Sequence, residues 1–262
     1  MGEIIAFTSG KGGVGKTTVT ANIGAGMALA GKKALLVDND LGLRNLDAVL
    51  GLENRIVYDL LDVLAGNCGL SQAVIRHPRY RGLHLLPAAQ TKDKTAVTPE
   101  EMLALVRDAA GQYDFVLMDS PAGIEHGFRN ALAGADRAVV VTVPEVTAVR
   151  DASQVAGLLR QREGLRLSLV VNRFRGAMAR RGQLMGVDDI VHLLDLELLG
   201  VIPEDDAVLL SSNQGEAAVG GRTAAARAYQ DIARQLMGQG VPGEPAQETV
   251  LQGWRRVLLR GR

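Results

Sequence analysis

The chain has 262 residues, 47% of them hydrophobic and 22% charged, and its 29 basic residues are cancelled by 29 acidic ones. That balance describes a folded globular protein with no global charge drive toward nucleic acid or anionic lipid, so any such attraction needs a local cluster. A single cysteine, Cys68, excludes an internal disulfide and a cysteine-ligated cluster, and His77, His84, His126 and His192 show no metal-ligand spacing.

The segment from Met1 to Gly10 lacks the charged start and long apolar core of a secretory signal, and no apolar run is long enough for a membrane span, which predicts a cytoplasmic chain. Short apolar runs then alternate with helical stretches. The predicted strands are Ile4–Ser9, Ala34–Asp38, Leu83–Pro87, Phe115–Asp119, Ala138–Val143, Leu167–Val171 and Leu198–Ile202. They are largely unbroken rather than alternating, as in strands covered on both faces. Thr17–Ala30, Glu100–Ala110 and Ala148–Gln161 read as crossover helices, and Thr223–Met237 as a closing one. The expected fold is α/β: a mostly parallel twisted sheet flanked by helices in three layers. Residues 1–237 form the predicted domain, 238–248 a Gly- and Pro-rich linker, and 249–262 a distinct tail.

Between the first strand and first helix lies Gly10-Lys11-Gly12-Gly13-Val14-Gly15-Lys16-Thr17, which satisfies G-x-x-x-x-G-K-[ST] at every fixed position. Glycines let a backbone wrap an anion, and the following helix offers its positive end. Lys16 is expected on the β- and γ-phosphates, the Thr17 hydroxyl on Mg²⁺, and Thr18 on a phosphate. Asp119 ends an apolar strand and fits a Walker B carboxylate holding Mg²⁺. Asp38 and Asp40 end another strand on the same carboxyl edge, where open α/β sheets bind ligands; taken singly, each also reads as a turn aspartate. Lys11 is a second loop lysine beyond the one the phosphates require, placed to act in trans on a partner's nucleotide in the manner of an arginine finger.

Together, KGGVGKTT, VDNDLGLRNLD and DSPAGIE, extended by VPEVTAVRD and VIPEDDAVLLSSNQGE, resemble the MinD/ParA family of deviant Walker A P-loop ATPases. GLRNLD, DSPAGIE and SNQGE lie closest to its septum-site-determining MinD branch. The resemblance covers roughly residues 3–237 and recurs in the tail. It implies an ATP-dependent homodimer with both nucleotides at the interface, in which Lys11 crosses between subunits and Asp40 positions the attacking water. The implied catalytic set is Lys11, Lys16 and Asp40, the metal set Thr17, Asp40 and Asp119, and the cofactors ATP and Mg²⁺. Residues 38–47 and 119–125 become switch regions, and Asn172, Pro203, Glu204 and Asp205 lie near adenine. The implied partners are a MinC-like inhibitor of division and a MinE-like activator of a slow hydrolysis. Asn39 departs from the large apolar residue expected there.

In the tail, Val250, Leu251, Trp254, Val257 and Leu258 share one face of a helical wheel, with Arg255, Arg256, Arg260 and Arg262 outside it. Leu259 falls opposite and Gly253 weakens the helix. Trp254 is the one tryptophan of the chain and suits an interfacial anchor. A helix of ~12 residues is marginal in water, so one tail on an anionic membrane binds weakly, and two on a dimer gain by avidity. The same pattern also fits a terminal helix docked on the protein's own surface. A partitioning relative would instead need a basic dimer face for DNA; Arg173, Arg175, Arg180 and Arg181 are the one such stretch, and a solvated face explains them as well. The tail and middle motifs favour a chain that is cytoplasmic and reversibly peripheral on the inner face of the cell membrane, with no specific nucleic-acid partner.

Overall fold

The computed structural model describes residues 1–90, 97–124 and 126–239. One sheet is built from β1 (Glu3–Thr8), β2 (Ala34–Asp38), β3 (Ile75–Arg76), β4 (Leu83–Leu86), β5 (Phe115–Asp119), β6 (Arg137–Thr142), β7 (Arg166–Phe174) and β8 (Glu197–Pro203). The order is β3-β4-β2-β5-β1-β6-β7-β8, parallel throughout except where β3 meets β4. The helices are α1 (Lys16–Leu29), α2 (Leu46–Val49), α3 (Leu60–Leu64), α4 (Leu70–Ala73), α5 (Pro99–Ala110), α6 (His126–Ala131), α7 (Val146–Leu159), α8 (Gly176–Arg180), α9 (Val187–Leu194), α10 (Asp206–Asn213) and α11 (Ala224–Leu236). The expected three-layer α/β architecture is present, and the predicted strand runs match within a residue or two at most ends. Among the described residues no helix is long and apolar enough to cross a membrane.

Unbroken apolar runs are explained by two cores. Ile5 and Phe7 of β1 face Val19, Ile23 and Met27 of α1 and Tyr229 and Ile232 of α11, whereas Ile4 and Ala6 face the layer holding Met102 and Val106 of α5 and Val149 and Val155 of α7. The middle residues of the central strands are therefore buried whichever way they point. Helix starts are set by local chemistry. Thr98 caps α5 in a reciprocal box with Glu101, with Pro99 at the first helical position. The Asp205 side chain accepts from the Ala207 N–H at the start of α10.

A glycine in the middle of helix α1 leaves no room for a side chain against the sheet. A Cβ on Gly24 would come within 2.6 Å of a Leu36 methyl and within 3.3 Å of Leu117. The chain leaves β1 toward β2 on one side and, after β5, continues through β6 on the other. That reversal places the carboxyl ends of β1, β2 and β5 around one crevice.

Candidate active site

The loop from Ser9 to Gly15 bends over the end of β1 and opens α1. Its glycines answer to different demands. A side chain on Gly10 would run into the backbone of Asp151 and Ala152 in α7, so helix packing requires its absence. Gly13 and Gly15 have φ of 80° and 86°, in the left-handed region that glycine adopts without strain. Gly12 has neither demand: its nearest neighbour would be the Ala122 methyl at 4.0 Å. The space beside Gly12 and Gly13 opens into a cavity of ≈ 650 Å³ that runs past Lys16, Thr17 and Thr18 to Asp40 and Asn45.

Gly15 caps α1 without a side-chain hydrogen bond, and no acidic residue stands in the first turn. The positive helix end and its N–H groups therefore face the cavity unneutralised, the arrangement that accepts a phosphate. Val14 is buried and gives its carbonyl to Asn172 Nδ2 at 2.8 Å, which pins the loop to β7.

Beneath the loop, Asp119 at the end of β5 is fully buried. Its oxygens accept from Lys16 Nζ at 2.6 Å, Thr17 Oγ1 at 2.7 Å and Thr20 Oγ1 at 3.1 Å. Lys16 Nζ also lies 3.3 Å from Thr17 Oγ1. The sequence-predicted Lys16, Thr17 and Asp119 thus converge on one point. Thr20 was not foreseen, although its position one helical turn after Lys16 puts both on one face of α1.

Asp38 pairs in register with Asp119 across β2 and β5. It accepts backbone N–H groups from Asp40 at 2.9 Å and from Asn45 and Leu46 at 3.2 Å each, so it organises the loop that carries Asp40. Burial, and then the nearby Asp119 carboxylate, push its pKa up to about 7, against the opposing pull of those N–H groups and of Lys16. Asp40 is half-buried on the cavity wall, within 3.5 Å of Asn45 Nδ2. Asn39 between them is buried, with Nδ2 3.3 Å from the Val37 carbonyl and Oδ1 lacking a partner among the described residues.

Lys11 behaves differently from Lys16. It sits on the outer rim of the loop with 44% of its side chain exposed, 3.5 Å from Glu145 Oε2 and 3.3 Å from Thr147 Oγ1 at the start of α7. It lines the rim of the same cavity and makes no hydrogen bond to Asp119 among the described residues.

A second cavity of ≈ 280 Å³ continues behind Gly15 and Thr18. Asn172, Pro203, Glu204 and Asp205, the four residues placed near adenine by resemblance, all line it. Ile202, Val208 and Leu209 supply apolar walls, and the buried Tyr229 and the exposed Arg173 complete it. Neither Tyr229 nor Arg173 was foreseen in this role. Gly51, after α2, and Gly215, after α10, touch backbone to backbone: a Cβ on Gly215 would fall 2.6 Å from the Gly51 Cα.

The chemistry of the donor set fits Mg-ATP: an uncapped helix end, a buried lysine, a hydroxyl and a carboxylate, with room kept beside Gly12 and Gly13. Of residues 119–125, expected by resemblance to be a switch region, Pro121 and Ala122 line the cavity beside the loop, and Glu125 is outside the described residues. Val250, Leu251, Trp254, Arg255, Arg256, Val257 and Leu258, the predicted membrane face, also lie outside the described residues.

A family profile described as an AAA domain matches residues 2–164. The septum site-determining protein MinD of Bacillus subtilis is 50% identical over 251 residues, 95% of this chain and 94% of that one. The MinD chain of the MinC:MinD cell division complex from Aquifex aeolicus superposes with a TM-score of 0.85 at 46% identity, covering 93% of this chain and 99% of that chain. MinD of Pyrococcus horikoshii, solved with Mg-ADP, gives 0.81 at 32% identity over 90% and 96%. The chain is a P-loop ATPase and belongs to the MinD family of septum site-determining proteins.

Proposed function

We propose that this chain is an Mg-ATP-switched dimer that docks on the membrane when ATP-bound, carries a MinC-like division inhibitor there, and is released on hydrolysis. The observation that carries the proposal is the convergence of Lys16, Thr17, Asp119 and the Asp40 loop under an uncapped helix end, in a chain of the MinD family. Lys16 must leave Asp119 to reach a phosphate, and in leaving it frees the Asp119 carboxylate and the Thr17 hydroxyl for the metal. Mg²⁺ when bound neutralises charge on the β- and γ-phosphate oxygens. Asp40 faces the cavity from a loop anchored by Asp38 and is placed to orient a water. Asn172, Pro203, Glu204 and Asp205 surround the base.

Lys11, held on the rim by Glu145 and Thr147, swings across a dimer interface to the partner's phosphates. Turnover is slow alone, because positioning and charge do the chemistry and one charge must come from outside the subunit. A MinE-like protein completes it. The predicted tail attaches the dimer, since its second helix inserts as an effectively intramolecular event. Sedimentation with anionic liposomes, with ATP or ADP, for the full chain and for a truncation after Met237, tests the switch. ATP-dependent pelleting that vanishes on truncation is the expected result; pelleting indifferent to nucleotide or truncation would overturn it.

A further inference from the structure

Arg173 breaks two rules of the strand that carries it. It has φ of 52° within β7, a left-handed backbone that non-glycine residues adopt rarely and at a cost. Pairing between β7 and β8 also shifts register between Val171 and Phe174. Successive strand residues ordinarily point to opposite faces. Here both Asn172 and Arg173 reach the same glycine: a Cβ on Gly15 would lie 2.5 Å from Asn172 Nδ2 and 3.9 Å from Arg173 Nε. The irregularity therefore re-aims Arg173 over the loop, the known use of a bulge beside a functional site.

Among the described residues Arg173 makes no ion pair and donates no side-chain hydrogen bond, while the adjacent Arg175 takes Glu204 at 3.7 Å. Arg173 is exposed and borders both the cavity behind Gly15 and the groove beside Lys11. The cavity behind Gly15 has an apolar side, Ile202, Val208 and Leu209, suited to one face of a flat ring. Among the other lining residues the one aromatic, Tyr229, is buried, and Arg173 is the exposed planar group. A guanidinium plane stacks well on an electron-rich ring.

We propose that Arg173 is a nucleotide-positioning residue that closes over the purine face and holds the base against the Val208–Leu209 wall. This rests on the reading of that cavity as the base site. The phosphates already have Lys16 and the helix end, so the contribution of Arg173 falls on the base.

The test is calorimetric titration of the full chain with Mg-ATP, Mg-ADP and inorganic triphosphate, for wild type, R173A, R173K, R173G and the cavity-filling L209W. Stacking predicts that R173A binds ATP and ADP about tenfold more weakly while triphosphate affinity is unchanged, and that R173K restores little. R173G should show the same loss with a Tm no lower than wild type, because glycine takes this φ without strain. Triphosphate affinity falling in step with ATP, with rescue by R173K, would move Arg173 to the phosphates and overturn the proposal. ATP affinity unchanged in R173A but weakened in L209W would leave the base site standing and Arg173 idle. If neither variant altered ATP binding, the base-site reading itself would fall.

Discussion

Asp38 and Asp119 stand side by side in register beneath the phosphate loop, yet their surroundings treat them oppositely. Asp119 is met directly by an ammonium and two hydroxyls, whereas Asp38 is hydrogen-bonded by backbone N–H groups, with a like charge beside it and Lys16 acting on it only through space. An acid whose pKa is raised to about 7 on folding binds more protons folded than unfolded between its ordinary value of 3.8 and that point. Its contribution to stability is therefore fully present below the unfolded value and is lost as pH rises through the folded one. For the nucleotide-free protein this loss is on the order of 4 kcal/mol at most. Urea unfolding from pH 4.5 to 7.5 should show stability falling across that window, with a visibly flatter profile for Asp38→Asn. Equal slopes for the two proteins would assign the trend elsewhere. Asn39 adds a second tension at this point, because a buried amide oxygen without a partner costs roughly 1–3 kcal/mol.

Helix α1 shows why glycines of one helix class are not equivalent. Gly24 sits against Leu36, Leu83 and Leu117, so a branched side chain there must push the helix off the sheet that aims Lys16 and Thr17. Gly157 in α7 has nothing within 4 Å of its Cβ position and no left-handed φ. Thermal and urea unfolding should find Gly24→Val destabilised by at least about 2 kcal/mol. Gly157→Ala should gain up to about 1 kcal/mol. The same contrast governs what was legible in the sequence. The β1–α1 turn was plain, because a glycine-lysine spacing set between an apolar run and a helix serves little besides holding a phosphate. The two-residue β3 and the short α2, α3 and α4 were not, since elements of one turn or less carry no periodicity. Asn172, Pro203, Glu204 and Asp205 are placed near the base by resemblance alone, for their coming together depends on β7 and β8 lying side by side. The left-handed turn at Arg173 leaves no trace in composition, because arginine is not a residue that signals positive φ.

At the scale of the whole molecule the two loop lysines divide the work. Lys16 is buried against Asp119, and Lys11 is tethered on the rim through Glu145 and Thr147. Lys11→Ala should bind ADP within about twofold of wild type, as expected for a half-exposed charge on the rim of the phosphate cavity, while losing ATP-dependent dimerisation in analytical ultracentrifugation. A variant that still dimerised with ATP would show that the trans role belongs to another residue. The close approach of Gly51 and Gly215 joins the loop that follows Asp40 to the helix that walls the base cavity, backbone against backbone. No side chain takes part, so the joint has no chemical identity that another pair of residues could imitate. Both positions are already at the smallest size available, and enlarging one cannot be offset by shrinking the other. A residue larger than glycine at either position has to force the two segments apart.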